Sequence, residues 1–451
     1  MSVTSPQERG TPADATAGTL ASPTAANPTV VESTSGSGRV TSVFRIRDFR
    51  MMFVGAAVSK FGSQISYIAV PLVAVLALQA PAAQVGLLGA AGTVAPLVIG
   101  LPAGVWVDRM RRRRIMVSAD LARFLLFGSV PLAWWLGMLT MYQLYIVAVV
   151  AGAGTVFFDV AAQSYLPHLV DGRDNLVDGN AKLSGVDAAS RILGRGIGGS
   201  LVGLLSAPMA IILDAFSYLW SAICIGLIRK REPAPHPRRT DAHLARETIE
   251  GLGYVLGDAR LRAIALSGSI VNFFISMIMV MLPVLFARQL GLSAGAIGFF
   301  LAIGGVGALL GTLTAPRLAR WLGYGQTLWI TAAVVAPTYF LIPLAQRGFW
   351  LYLAGFGYLL MTFKTMSDNV IQVSFRQRIT TNRLLGRMNA TMQFLLLGSV
   401  ALGSMAGGVI GQYAGSRAAL WVGVSGVAIG WLPTFLSPLR RMRNLPAAAT
   451  D

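Results

Sequence analysis

GVWVDRMRRRR, residues 104–114, decides how this chain is read. Gly104 and Asp108 close a long apolar run, Arg109 and Arg111 to Arg114 follow at once, and Ile115 opens another apolar run. A short Arg-packed loop between two membrane-length segments belongs on the cytoplasmic side, because positive charge resists translocation. This loop therefore sets the expected orientation of everything around it.

Moving outward, the chain has 451 residues, of which 54% are hydrophobic and 12% charged, with a mean hydropathy of +0.62. Ordinary soluble domains carry about 25% charged residues. The apolar runs are apolar all round instead of striped, which excludes a large soluble helical core. A spanning helix takes ~20 residues, so the chain from Phe44 onward has room for about twelve.

The net charge of +18 invites a nucleic-acid reading, and its distribution excludes one. Most of the 37 Lys and Arg fall in segments that share one side if the spans alternate. These are the N-terminal tail, the 104–114 loop, the loop after the fourth span, the middle linker, the loops after the eighth and tenth spans, and the C-terminal tail. The other side keeps Arg288, Arg347 and Arg417. That asymmetry predicts both termini in the cytoplasm and attraction to anionic membrane lipid. Cys224 stands alone in an apolar run, which gives no disulfide framework. His168, His236 and His243 lack metal-ligand spacing. No nucleophile–base pair or phosphate loop points to an enzyme, no cofactor is implied, and no cleavable signal precedes the first apolar run near Met51.

The expected organisation runs in five parts. Residues 1–43, rich in Ser, Thr, Ala, Pro and Gly, form a disordered cytoplasmic tail. Residues 44–228 form an N-terminal six-helix bundle, with Phe44–Arg50 as an amphipathic lead-in and spans near 51–79, 84–107, 115–138, 142–165, 184–206 and 208–229. Residues 229–260 are a cytoplasmic linker whose second half is amphipathic and lies along the membrane surface. Residues 261–438 form a second six-helix bundle, with spans near 262–288, 294–320, 325–345, 349–374, 388–412 and 416–437, and 439–451 are a second cytoplasmic tail. Trp134 and Trp135 sit where an aromatic belt is expected. The loop between the fourth and fifth spans is read as polar, with Asp171, Arg173, Asp174 and Asp178.

The pattern Gly104, Asp108, Arg109, Arg112, Arg113 resembles the signature loop of the major facilitator superfamily, with Arg111 where that pattern usually has Gly. In the fifth span, Ser190, Gly194, Gly198 and Gly199 resemble the Gly-rich motif of that superfamily's antiporters, with Arg195 in place of its Pro. FRIRDFR, SYLPHLV, DAFSYLWSA, LLGRMNA and SPLR, in that order, are similar to a bacterial drug- and siderophore-exporter branch containing enterobactin-type and macrolide-type exporters. The resemblance covers about Phe44 to Arg440. It implies an all-α membrane protein of twelve helices in two pseudo-symmetric six-helix bundles around one central site. It also implies an Asp108 carboxylate latched onto the N-terminus of the eleventh span, where free N–H groups favour an anion; the plainer reading of Asp108 is a solvated residue neutralised by Arg109. GTLTAPRLARWLG reads as a decayed second copy of the loop, pairing Gly311 with Gly104, Ala315 with Asp108 and Arg320 with Arg113.

Ionisable groups inside spans are costly and point to function. Asp159 is expected to pair with Arg112 or Arg113, the alternative being a proton carrier. Asp120 and Arg123, three apart, are expected to pair with each other. Asp214 has no cation within four residues and is the leading proton candidate. Asp187, Arg191 and Arg195 share one helix face, suited either to an anionic ligand or to mutual neutralisation. Lys364 and Asp368 read as an internal pair, and Lys60 as a snorkelling cation. Asn272, Phe273, Phe274, Met277, Met279 and Met281 suggest an adaptable wall for an amphipathic substrate. Gly403, Gly407 and Gly411 read as packing. The expected function is proton-coupled export of an amphipathic small molecule (an antibiotic, toxic compound or siderophore) by a monomer in the bacterial cytoplasmic membrane. Import of an organic anion on the same fold, and a sensor that has lost transport, are the alternatives.

Overall fold

The computed structural model describes residues 43–170, 172–230, 232 and 244–443. The expected tails, apart from residues 43 and 439–443, and residues 231 and 233–243 of the middle linker lie outside them. The main helices are α1 (Arg47–Leu72), α2 (Ala82–Asp108), α3 (Arg112–Trp135), α4 (Met141–Leu169), α5 (Arg173–Leu205), α6 (Ala207–Gly226), α7 (Leu244–Gly257), α8 (Ala259–Val284), α9 (Ala294–Leu322), α10 (Tyr324–Tyr339), α11 (Phe349–Ile379), α12 (Asn382–Tyr413) and α13 (Ser416–Ile429). Among the described residues, nine helices are long and apolar enough to cross a membrane. The other four main helices are α5, α7, α10 and α11. α5 carries only a short apolar stretch, Gly196–Leu205, and α10 has 16 residues.

Several boundaries differ from those expected. The lead-in is not separate: a 3-10 turn at Val43–Arg45 runs into α1, and Val43 and Phe49 are buried. The polar stretch after α4 is helical from Arg173, because Gly172 takes φ +88° to turn the chain and Asp178 pairs with Lys182 one turn later. α10 stops at Tyr339, just past Pro337, and not near 345. α13 stops at Ile429, and a four-residue helix, Leu432–Phe435, follows.

An internal repeat lies in the proline turns. Pro71 sits near the end of α1 and Pro283 near the end of α8, and each helix passes into a π-helical turn, Val73–Ala77 and Leu285–Gln289. Proline removes a backbone donor and crowds the carbonyl four residues back, and a widened turn accommodates this. α2 and α9 then begin at the same spacing from the prolines, at Ala82 and Ala294. In that register Gly86 matches Gly298 and Asp108 matches Arg320. The pairing of Arg113 with Arg320 is therefore corrected: Arg113 is in the first turn of α3, whereas Arg320 lies in the last turn of α9.

Contacts sort the helices into a first group, α1–α6, and a second, α8–α13, joined chiefly where α2 meets α12 and α5 meets α9. One shared core, including Leu72, Val75, Leu285, Phe286, Ile297 and Leu420, fills the end opposite the Arg loop. At the Arg-loop end each group has its own core, around Met116 and Tyr165 in the first and around Met388 and Phe375 in the second. The two groups are thus closed on one another at one end and separate at the other. The amphipathic α7 packs on α12 and α8, with Val255 buried in the second group's core and Glu250 paired with Arg387.

Asp258 caps α8, accepting from the backbone N–H groups of Arg260 at 2.7 Å and Leu261 at 3.2 Å and pairing with the Arg260 guanidinium at 2.7 Å. The Arg260 side chain, with those two N–H groups, holds its carboxyl below the usual carboxylate range. A lowered value stabilises the fold above the unfolded pKa of about 3.9 and loses that contribution as pH falls through the folded value. Asp258→Ala should therefore cost about 1 kcal/mol at neutral pH. Thermal unfolding should show the difference from the parent protein shrinking on going from pH 7 to below the carboxylate range.

Candidate functional site

Between the two groups lies a cavity of about 560 Å³. Its wall is mostly apolar: Ile68, Leu72, Leu88 and Phe127 from the first group, and Ile275, Met279, Val280 and Leu301 from the second. Polar groups are few: Ser63, Ser66, Thr93, Thr155 and Tyr218 on one side, Asn272, Ser276 and Ser404 on the other. A concave apolar wall with a few placed polar groups is the usual form of a small-molecule site. Of the residues expected to line it from α8, Asn272 and Met279 do. Met277 and Met281 are fully buried in the core beneath the glycines of α12, Gly407 and Gly411.

Behind Tyr218 lies a second, fully buried layer. Asp120 and Asp214 are both 0% exposed. Arg123 donates to Asp120 as the spacing predicts, reaches Thr155 at 3.4 Å, and lies between the rings of Phe158 and Tyr218, 4.7 and 4.4 Å from their centroids. Such ring contacts are worth about 2 kcal/mol where water is excluded. Asp214 Oδ1 accepts from the Ser217 hydroxyl at 3.1 Å and lies against Gly62, which has no room for a Cβ. Tyr218 links this layer to the cavity through a 2.9 Å hydrogen bond with Ser63.

A third set of charges stands nearer the Arg-loop end and is half exposed. Lys60 pairs with Asp187 at 2.9 Å and approaches Asp159 to 3.9 Å, while Arg191 pairs with Asp187 at 2.9 Å. Lys60 therefore does not snorkel; it joins three helices. Asp159 meets Lys60, whereas the Arg113 guanidinium turns to the carbonyl oxygens of Ile225 and Gly226. Of the expected pairing of Asp159 with Arg112 or Arg113, the Arg113 alternative is corrected accordingly. The side chain of Arg195 lies outside the described residues.

At the signature loop, Gly104 has open space around it and Arg109 follows the last residue of α2. The α3 N-terminus is occupied by Glu232, which accepts from the backbone N–H groups of Arg112 at 2.9 Å and Arg113 at 3.3 Å. Asp48 does the same for Arg229 and Lys230 just past α6. Asp108 is the last residue of α2, and its side chain lies outside the described residues.

The glycines of α5 divide their work. Gly194 packs on Gln64 and Gly198 on the Ile65 backbone, both in α1. Gly199 faces Gly298 of α9 across the two groups, and Gly203 meets Gly295 one turn on. Gly86 and Gly408 make the matching approach between α2 and α12. Arg288 also bridges the groups here, donating to the carbonyl oxygens of Ala80 at 2.6 Å and Val75 at 3.3 Å. Sequence reasoning missed Ser63, Ser66 and Tyr218; Tyr218 lies four residues after Asp214, a helical spacing that would have placed both on one face.

A two-group helical bundle enclosing one cavity, closed at one end and separate at the other, is the architecture of a membrane transporter of the major facilitator class. Residues 40–451 match the family described as transmembrane secretion effector, and the chain belongs to that family within the superfamily. It is a multi-pass membrane transporter and not an enzyme. It is similar to the multidrug efflux pump Tap of Mycolicibacterium fortuitum, 27% identical over 407 residues, covering 87% of this chain and 96% of that protein. It is also similar to the enterobactin exporter EntS of Escherichia coli O1:K1 / APEC, 26% identical over 408 residues, covering 89% and 95%. Among solved structures, a bacterial homologue of the iron transporter ferroportin in its inward-facing state superposes with a TM-score of 0.70 at 17% identity, covering 88% of this chain and 99% of that one.

Proposed function

We propose that this protein exports amphipathic small molecules across the bacterial cytoplasmic membrane in exchange for protons. The observation that carries this reading is the placement of an apolar cavity directly against a buried layer holding two carboxyls and one guanidinium. The wall suits a molecule with a large apolar surface and one or two polar groups, the chemistry shared by many antibiotics and siderophores. The similarity to Tap and EntS supports outward transport. The Arg loop, read as cytoplasmic by the positive-inside rule, makes the separated end the cytoplasmic one. The conformation described here is then open to the cytoplasm. Asp108 and the Arg cluster latch that face in the opposite state, and the two groups rock about the cavity.

In this reading Asp214 carries the proton. Burial disfavours an isolated carboxylate strongly, so the acid loads where protons are abundant and releases where it meets water. Import of an organic anion fits less well, because Arg191 is engaged by Asp187 and the neighbouring Lys60 and Asp159 balance each other.

The test is proton movement in inside-out vesicles, followed with a pH-sensitive dye while hydrophobic antibiotics and siderophores are added. Asp214→Asn should abolish gradient-driven flux while sparing substrate exchange, because the amide keeps the shape but cannot cycle a proton. An unchanged response to the gradient in that variant would exclude Asp214.

A further inference from the structure

We infer that Asp120, Arg123 and Asp214 form a single proton-binding unit, in which Asp120 is a full partner and not merely the anchor of Arg123. The inference rests on the proton-driven reading above and names the residues that share the proton.

The geometry departs from that of a structural ion pair. A pair built for stability fills the guanidinium fork and both carboxylate oxygens. Here Asp120 Oδ2, Asp214 Oδ2 and Arg123 Nε are all buried without a hydrogen-bond partner. The only neutral donors beside these carboxyls are hydroxyls, Ser66 and Ser217 at Asp214 and Ser221 at Asp120, among the described residues. Each unmet buried polar atom costs about 1–3 kcal/mol. Three in one layer, all within the first group, fit a site whose hydrogen bonds change during its working cycle.

Charge balance points the same way. Two carboxyls share one guanidinium, and neither carboxyl is exposed. One carboxylate is neutralised by Arg123; the other is sustained in this layer as the neutral acid, since an uncompensated buried charge costs several kcal/mol. Among the described residues no second cation meets the pair. α1 presents Gly62 and Ser66, α6 presents Tyr218, and the nearest ionisable group on α4 is Asp159, whose negative charge adds to the imbalance.

The proton step is simple. The O–H bond of the neutral acid breaks, its electron pair stays on the carboxyl oxygen, and the proton passes to water in the cavity past Ser63 and Tyr218. Arg123, with Nε unengaged, is then drawn between both carboxylates. Reloading reverses each movement. Coupled sites of this kind titrate as a pair, so the proton belongs to the unit and not to one residue.

Infrared difference spectroscopy of the purified full chain in nanodiscs, titrated with pH and with no substrate added, reads this directly through the carbonyl band of a buried protonated carboxylic acid. The parent protein should show one such acid that disappears on titration. Asp120→Asn and Asp214→Asn should each abolish the band, because either change leaves one carboxylate for one guanidinium. Arg123→Gln should double its intensity. Loss of the band in Asp214→Asn but its retention at an unchanged midpoint in Asp120→Asn would overturn the inference and leave Asp214 as sole carrier. A parent protein with no titrating buried acid would overturn the proton-driven reading itself. Should Asp120→Asn fail to fold, judged by tryptophan fluorescence on heating, Arg123→Gln decides: two acids support the unit, and a single unchanged acid sinks it.

Discussion

Gly199→Val is expected to abolish transport while leaving the protein inserted and folded. In the conformation described, Gly199 of α5 lies directly against Gly298 of α9, and the atoms a new side chain would strike are backbone: Gly298 N and C would sit 3.0 Å from its Cβ, and Gly298 Cα closer still. Carbon atoms pack at about 3.5–4.0 Å, so the helices would have to part by roughly 1 Å at the least, and valine's methyl groups widen the gap. Gly203 repeats the approach, with Gly295 N at 2.9 Å from its would-be Cβ. The cost falls only on the state closed at this end; a state in which the groups have separated here does not feel the methyls. If closure is penalised by ~4 kcal/mol, the ratio of the two states moves by about a thousandfold, since 1.4 kcal/mol is tenfold.

Distances between spin labels on the ends of α5 and α9 opposite the Arg loop should lengthen in Gly199→Val and become insensitive to pH. Gly194→Ala is the control. Its would-be Cβ meets Cγ and Cβ of Gln64 on α1 at 2.8 and 2.9 Å, within the same group, so any cost falls on both states alike and the distances should stay as in the parent. Parent-like distances and flux in Gly199→Val would show that this crossing is not part of the cycle.

The contrast between those two glycines shows what a linear sequence can carry. The small-residue spacing at 194, 198 and 199 is visible, and it implies close helix packing. It does not reveal that Gly198 and Gly199, rotated ~100° from one another, serve different helices, one inside its own group and one across the divide. The apolar runs located the spans because bilayer thickness imposes their length. Where a helix continues into water that signal ends, so the first turns of α5, held by Asp178 and Lys182, read as a loop. Own-helix pairs such as Asp120 with Arg123 were legible from spacing of three or four. Lys60 was not, because its partner Asp187 stands 127 residues away and nothing local marks it. Asp214 stood out as a charge without a local cation, which is correct as far as it goes. That it shares a layer with Asp120 follows only from the packing of α3 on α6. The methionines of α8 divide by helix face: Met279 reaches the cavity and Met277 and Met281 the core, a distinction their composition does not make.

Lys364→Met should destabilise the protein more than any other single change considered, by roughly 3–5 kcal/mol, the usual cost of stranding one member of a buried ion pair. Lys364 is 4% exposed on α11, donates to the carbonyl oxygen of Leu328 on α10 at 3.1 Å, and pairs with Asp368 one turn on. Asp368 Oδ1 already lacks a partner, so removing the ammonium leaves the carboxyl with none of its charge met. Neither residue lines the cavity, and the pair lies in the second group, away from the proton layer. Its role is to tie α11 to α10. The double variant Lys364→Met/Asp368→Leu should recover most of the loss, because replacing both charges by apolar groups of similar volume removes two desolvation penalties along with one attraction. Thermal unfolding in detergent of the parent, both single variants and the double variant completes the cycle. Recovery together with retained gradient-driven flux would establish the pair as structural. Recovery of stability with loss of flux would instead make Lys364 and Asp368 part of the transport machinery, and would place a second charge-bearing element in the second group of helices.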